Sequence, residues 1–486
     1  MEATDDALRR EAKSLLNRLR SIKHDAEFVS QIAARFPSLK LVANERCGLW
    51  YIPPSKRAHG HTVYFKSTDG HFGTWNLSLK RLNLHILPVI VQDSGCIIVD
   101  STRSGKRFPD SLSKTIPIWC SVLNTAVAEY RKQTSNENTA SDFATWDTDF
   151  HSLSSVISPS EHNQIQSKIQ SLAASVLATP SIDMEYLSTL LKKPLRPIWI
   201  APDTHYFSNI IEPNNSGYVK KAWTDSTDFE FYPVICVNAS EVAHDASQRR
   251  NGFYYVQGAA DDHEMWAPAG LTPETFWRHE GKLLEAGLSD IDCARIAKDL
   301  LARERWDVDC SMQSQEALFH WIGETGIAIG GRRAGRPPEC LTNFDVIINC
   351  GAVEYDDIAN ISEQMGKRYL YLAIPEGKKG QHMLFESIPI ATQFLLESTQ
   401  RFVSPRVLVH CAQGRDRSVA ISLSLMLQFL NNEQKMEYNQ RRPRDSFTKK
   451  TIQDLLIYIQ QYRHIALPSR AFMCRINDYF LSSSRL

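Results

Sequence analysis

Apolar positions recur along this chain with two different periods. Over residues 5–35, Leu, Ala, Ile and Val fall at three- and four-residue spacing among charges, which predicts an amphipathic helix. The same spacing predicts helices over 112–130, 160–192 and 273–304. Short apolar runs bounded by polar or turn residues predict buried strands at 84–92, 95–100, 197–201 and 232–237, then at 406–409. The run VAISLSLMLQFL at 419–430 is long enough for a helix packed on a sheet. Residues 133–165, rich in Ser, Thr, Asn and Asp, predict a surface connector.

At 486 residues the chain exceeds one ordinary domain. With 43% hydrophobic and 23% charged residues it has ample core material, and its net charge of zero advertises no global affinity for nucleic acid. RNA, if bound, must be met by local patches. Ten cysteines stand without any CxxC pair, so neither zinc nor a disulfide framework is expected. No run of apolar residues reaches membrane-spanning length, and the first residues lack the apolar core of a secretory signal. A reducing cytoplasmic or nuclear setting is expected.

His410-Cys411-Ala412-Gln413-Gly414-Arg415-Asp416-Arg417-Ser418 joins the predicted strand at 406–409 to the helix that follows. Successive backbone N–H groups between Cys411 and Arg417 can curl into a concave nest, and the positive end of the helix macrodipole adds to them. Such a nest takes an oxyanion. Arg417 is spaced to return to the loop mouth, where a planar guanidinium grips two phosphate oxygens. The same field lowers the pKa of the Cys411 thiol, and Ser418 is placed to donate a hydrogen bond to the sulfur. An ordinary strand-to-helix turn around a buried cysteine does not account for Cys, Gly, Arg and Ser all falling in register.

This HC-x5-RS pattern resembles the cysteine-dependent protein phosphatases. IAIGGR (327–332), FDVIINC (344–350) and YLYLAIP (369–375) resemble the first strands of the dual-specificity phosphatase fold. The resemblance implies an α/β chain whose C-terminal part, 311–486, is a three-layer dual-specificity-phosphatase-like domain with a P-loop. A larger mixed α+β domain, 1–310, precedes it. Those phosphatases place a general-acid aspartate in the loop after the YLYLAIP-like strand. Here that loop runs from Glu376 to His382 without an aspartate, so Glu376 is the carboxyl group left in it.

Two segments upstream are chemically dense. The predicted strand at 95–100 ends in Asp100, and Ser101, Thr102, Arg103, Ser104, Gly105, Lys106 and Arg107 follow. A carboxylate, hydroxyls, a glycine and the cations Arg103, Lys106 and Arg107 suit a phosphate or a magnesium ion; they equally suit a strand-to-loop junction with a basic face. The segment faintly resembles the phosphoribosyl-diphosphate loop of ordinary phosphoribosyltransferases, with one acidic residue where they carry two. QGAADDHEMW (257–266) places Asp261 and Asp262 together, as magnesium ligands or as a solvent-facing helix cap. Arg441, Arg442, Arg444, Lys449 and Lys450 are close enough to neutralise several RNA phosphates, or to form a solvated face. Trp75, Tyr64 and Phe65 offer rings for base stacking, although core packing is their more ordinary use.

Taken together, HFGTWNLSLKRLNLH (71–85), GCIIVDSTRSGKRFPDSLSKTIPIWC (95–120), YYVQGAADDHEMWAPAGLTPETFW (254–277) and HCAQGRDRS (410–418) are similar to the initiator-tRNA phosphoribosyl transferases of fungi and plants. The resemblance implies transfer of a 2'-O-ribosyl phosphate from phosphoribosyl diphosphate, with Mg2+, to a T-stem adenosine of the initiator methionine tRNA. The cradle from Cys411 to Ser418 would then hold the 5'-phosphate or the diphosphate of the donor, with Arg415 and Arg417 matching its charge. Asp416 is the first candidate for the base that accepts the 2'-hydroxyl proton, and Asp100 the second. Cys411 either shapes the loop or forms a phosphocysteine. The T-stem is duplex RNA, read by shape through its shallow groove. Two other readings stay open: a cysteine-dependent phosphatase with a large targeting domain, and a non-catalytic RNA-binding protein.

Overall fold

The computed structural model describes residues 8, 10–103, 105–134, 146–204, 229–243, 248–250, 252–261, 270–307, 318–337, 339–355, 368–431 and 433–482, except for the side chains of 59, 60, 302–307, 378 and 444. The chain divides into two compact units, one of residues 1–178 and 183–315, the other of 179–182 and 316–486. The division at 315 and the expected one at 310 both fall outside the described residues. No helix among the described residues is long and apolar enough to cross a membrane.

The first unit contains α1 (Leu15–Arg35), β1 (Lys40–Asn44), β2 (Arg57–Val63), α2 (Leu87–Gln92), β3 (Cys96–Asp100), α3 (Ile116–Thr134), α4 (Pro159–Leu177), α5 (Met184–Leu190), β4 (Leu195–Ile200), β5 (Tyr232–Asn238), the hairpin β6 (Gln248–Arg250) and β7 (Phe253–Tyr255), α6 (Pro273–Arg278) and α7 (Asp290–Asp307). Helix α1 starts where Ser14 Oγ accepts the Asn17 amide at 3.2 Å, and its buried face carries Leu16, Leu19, Ile22, Ala26, Val29 and Ile32. Five strands form one sheet in the order β2-β1-β3-β5-β4, every pair parallel. Strand β3 lies in the middle and is buried along its whole length, which is why its sequence reads as a continuous apolar run. Ile97 and Val99 face a core shared with α1 and α6. Cys96 approaches Cys120 of α3 on the opposite face.

The expected strand at 84–92 is instead a 3-10 turn, Leu84–Ile86, leading into α2. An apolar run of this length does not distinguish strand from helix by period; Pro88 fits the first helical turn, and Leu87 and Ile90 share the buried face. The helical pattern at 160–192 resolves into α4 and α5, and that at 273–304 into α6, a short turn at Glu280–Leu283 and α7. Strands β1 and β2 were absent from the pattern reading. Helix α3 is entered through a π turn, Ser111–Thr115.

The second unit contains β8 (Phe319–Trp321), β9 (Ile327–Gly330), β10 (Val346–Asn349), β11 (Tyr369–Tyr371), α8 (Gly380–Thr399), β12 (Val407–His410), α9 (Arg417–Phe429), α10 (Lys449–Tyr462) and α11 (Arg470–Leu481). Its sheet order is β11-β10-β12-β9-β8, parallel except for the β8–β9 edge pair. The four expected strands and the helix after the cysteine loop all stand at their predicted places. One sheet face packs on α8 to α11, with Ile348, Val409, Val419, Leu423 and Phe472 among the buried residues. The other face is closed by Phe344, Cys340 and Ala334 over Ala328, Ile347 and Leu408. This α/β architecture puts the Cys411 loop at the carboxyl end of the middle strand, where the first turn of α9 begins.

Candidate functional site

The loop after β12 folds into the expected nest. Gly414 adopts φ +67, and a Cβ there would lie 2.5 Å from both the Gly330 carbonyl oxygen and the Arg463 guanidinium, so only glycine fits. Its amide donates to Cys411 Sγ at 3.2 Å, and Ser418 Oγ lies 3.3 Å from the same sulfur. Burial alone would push the Cys411 thiol up; hydrogen bonds from Ser418, the charge of Arg417 and the Gly414 amide outweigh that and bring it below the ordinary thiol value. His410, beneath the loop, is fully buried and brought down to about 3 by burial and by Arg332, so it is a neutral imidazole. Its Nε2 has no hydrogen-bond partner among the described residues.

Arg417 is buried, and its guanidinium donates to the Ile374 carbonyl at 3.1 Å and to Glu376 Oε1 at 2.6 Å. The two sites lie on the loop where a phosphatase would carry its acid. Glu376 is well exposed and paired with Arg417, an arrangement that orients the arginine fork.

Asp416 departs from the expectation that it sits inside the cradle. Its Oδ1 accepts the Ser469 amide at 2.8 Å, and burial raises its pKa. Ser469 also caps α11, so Asp416 ties the loop to that helix. Arg415 contributes its carbonyl, which accepts the Leu467 amide at 2.7 Å. Ala412 and Gln413 are exposed at the mouth, and the Ala412 carbonyl accepts the Arg332 amide at 3.1 Å.

Sequence reasoning missed Arg463. This buried side chain donates from Nε to the Gly414 carbonyl at 2.6 Å and from one terminal nitrogen to the Gln413 carbonyl at 3.1 Å, while the other lies 2.8 Å from His320 Nδ1. By holding two loop carbonyls outward it leaves the loop amides to face the nest. Nothing near the motif signals it, because it arrives from the end of α10.

At the carboxyl end of β3, Asp100 is fully buried and saturated with donors. Oδ2 accepts from Asn44 Nδ2 at 2.8 Å, Arg46 Nε at 3.1 Å and Ser111 Oγ at 2.5 Å. Oδ1 accepts from the second arm of Arg46 at 3.1 Å, Cys47 Sγ at 2.9 Å and the Ser101 amide at 2.8 Å. Arg46 also pairs with Asp261 and donates to the Ser101 carbonyl. Burial raises the Asp261 pKa, and Asp100 adds to that. Arg103 donates twice to the Asp261 carbonyl, Lys106 pairs with Asp110 at 3.3 Å, and Arg107 pairs with Asp203 at 2.9 Å.

These residues do not fit the expected magnesium site. Asp262 lies outside the described residues, Asp100 has both oxygens committed, and the Arg46 guanidinium already stands between Asp100 and Asp261 where a cation would go. Among the described residues no group of three carboxylate, histidine or cysteine side chains is arranged to hold a metal. The same geometry removes Asp100 as a base. Asn44, Arg46, Cys47 and Ser111 were all missed; the first three end or follow β1, more than fifty residues from Asp100, and Ser111 opens the π turn.

The basic cluster of the second unit is exposed at Arg441, Lys449 and Lys450, while Arg442 lies half-buried over Phe447 at 5.8 Å; the Arg444 side chain is outside the described set. Lys449 and Lys450 occupy the first turn of α10, where the macrodipole opposes cations, so nothing in the fold itself favours them there. Trp75 and Phe65 are core residues, Phe65 edge-on to Trp119 at 5.3 Å, while Tyr64 carries the Arg81 guanidinium 3.8 Å above its ring.

Residues 8–301 match the family model described as the Rit1 N-terminal domain, and residues 368–480 match that of the Rit1 DUSP-like domain. The chain is 32% identical over 496 residues to the tRNA A64-2'-O-ribosylphosphate transferase of Saccharomyces cerevisiae, covering 98% of this chain and 93% of that protein. It is 33% identical over 481 residues to an uncharacterised protein of Schizosaccharomyces pombe, covering 98% and 96%. Among solved structures, the phosphatase domain of Yvh1 from Chaetomium thermophilum is similar at 20% identity and a TM-score of 0.27, covering 34% of this chain and 95% of that one.

Proposed function

The chain belongs to the Rit1 family, and on that premise we propose that it transfers a 2'-O-ribosyl phosphate from phosphoribosyl diphosphate to adenosine 64 of the initiator methionine tRNA. The observation that carries this reading is the likeness to a tRNA A64-2'-O-ribosylphosphate transferase over nearly the whole length of both chains, through both units. The site adds a chemical reason. A phosphate nest is kept intact, while the loop that would supply a phosphatase's aspartate, residues 376–382, contains none. Binding of a phosphate without cleavage of its ester suits a donor whose reaction lies at carbon.

In this reaction the RNA 2'-oxygen forms a bond to the anomeric carbon, the bond from that carbon to the diphosphate breaks, and the hydroxyl proton is released. The transition state has oxocarbenium character, so the protein's work is to hold the donor and position the hydroxyl. The loop amides and the Arg417 fork bind an anionic group of the donor, the fork turning from Ile374 and Glu376 to the phosphate oxygens. Arg463 and Asp416 fix the loop from outside. Magnesium enters as the chelate of the donor diphosphate and belongs to the substrate. Arg441, Lys449 and Lys450 supply exposed charge for RNA phosphates.

Incubation with donor labelled in its ribose should place label in initiator tRNA, and replacing adenosine 64 by a 2'-deoxyadenosine should prevent it. Absence of label from every tRNA would end the reading. The lowered pKa of Cys411 favours one alternative, a cysteine phosphatase. Hydrolysis of a phosphate ester that Cys411→Ser abolishes would select it.

A further inference from the structure

Parallel sheets take ligands where the chain leaves neighbouring strands in opposite directions. In the first unit that point lies between β1 and β3: the chain runs from β1 to β2 at one edge, and from β3 to β4 at the other. The floor of this crevice is Arg46. Asp100 receives two arms of its guanidinium and so fixes the direction of the fork, while the remaining face meets the carboxylate of Asp261. Arg103 reaches the same residue, donating from Nε and a terminal nitrogen to the Asp261 carbonyl at 3.0 and 2.7 Å. Two arginines therefore converge on residue 261. The turn that carries it is pinned, because Gly258 adopts φ +59 and a Cβ there would lie 2.3 Å from the Thr102 carbonyl oxygen. The backbone cannot back away, but the Asp261 side chain can rotate.

We propose that the crevice between β1 and β3 is a phosphate-binding site floored by Arg46, in which the Asp261 carboxylate holds the phosphate position while no ligand is bound. A carboxylate and a phosphate present the same pair of oxygens to a guanidinium, and the phosphate carries the greater charge, so it displaces the carboxylate toward solvent. Arg46 supplies the cation that a metal would otherwise bring. Its side chain and that of Asp261 each retain 17% exposure. With both side chains mostly covered, the occupant is a terminal phosphate or diphosphate on a small molecule.

The test uses the full chain with Arg417→Met, which removes the arginine fork from the nest, and inorganic pyrophosphate as the probe, titrated calorimetrically in the presence of a metal chelator. Binding should remain. Adding Asp261→Ala should tighten it about fivefold, the range of one partly exposed ion pair. Adding Arg46→Met should remove it. Because Arg46→Met leaves Asp100 unpaired and can unfold the unit, Asp261→Ala carries the decision. No binding in the Arg417→Met chain, or binding that Asp261→Ala leaves unchanged or weakens, overturns the proposal. Displacement of pyrophosphate by excess tRNA overturns its assignment to a small ligand. Label transfer by the otherwise unaltered chain reports on the tRNA reaction separately, so the two readings fail independently.

Discussion

The loop after β12 and the loop after β3 each leave the middle strand of a five-stranded sheet, yet they hold positive potential in different forms. After β12 the field comes from peptide dipoles and one arginine; after β3 it comes from Arg46 and the basic side chains that follow Asp100. Peptide dipoles need no counter-ion, and the one arginine beside them is paired with an exposed carboxylate, Glu376. A recessed guanidinium does need one, and Asp100 and Asp261 supply it. The cysteine beside each loop reports the difference. Cys411 Sγ accepts a hydrogen bond from an amide and its pKa falls, whereas Cys47 Sγ donates to Asp100 and its pKa is raised by burial and by that carboxylate.

The largest effect should come from breaking the side-chain form. Asp100→Ala leaves Arg46 without its buried partner and should cost the first unit about 3–5 kcal/mol in urea unfolding followed by tryptophan fluorescence. A loss below about 1 kcal/mol would mean that water compensates Arg46 and that the two loops are less different than their partners imply.

The backbone form should show its worth in rate. Arg417→Ala removes the fork and should lower label transfer by roughly 10^2- to 10^3-fold, the cost of losing one preorganised donor. Cys411→Ala leaves the amides in place and should stay within about threefold of the unaltered chain, a change under 1 kcal/mol. Equal losses from both substitutions would put the thiolate into the chemistry and erase the contrast between a cradle and a nucleophile.

The nest was legible in the sequence because its parts are contiguous: strand, cysteine, Gly414, Arg417 and Ser418 fall within one short loop whose geometry allows few solutions. Four strands of the second sheet were legible, 407–410 as a buried run and three through the resemblance to a phosphatase fold, whereas the short, half-exposed edge strand β8 was not. The Asp100 network was not, because Asn44, Arg46, Ser111 and Asp261 reach it from three separated segments, and a carboxylate after a strand looks the same whether it meets a metal or an arginine. Residues 84–92 failed through an ambiguous period, β1 failed because only three apolar residues stand between Lys40 and Asn44, and β2 failed because it is polar along most of its length.

The smallest effect should sharpen the comparison at the level of one hydrogen bond. Ser418 Oγ lies 3.3 Å from Cys411 Sγ and favours the thiolate, so Ser418→Ala should move the Cys411 titration upward, followed by thiolate ultraviolet absorbance. The sign carries through to stability. A thiol whose folded pKa lies below its unfolded value contributes stability that is present above the unfolded pKa and is lost as pH falls through the folded one. Ser418→Ala should therefore reduce stability at alkaline pH and leave it unchanged at acid pH, where the group is protonated in both states. Cys47→Ala is the control from the other loop, since its thiol stays protonated across the same range and its removal should leave the Cys411 titration where it was. A titration that Ser418→Ala leaves in place would assign the low pKa to Arg417 and the loop amides alone.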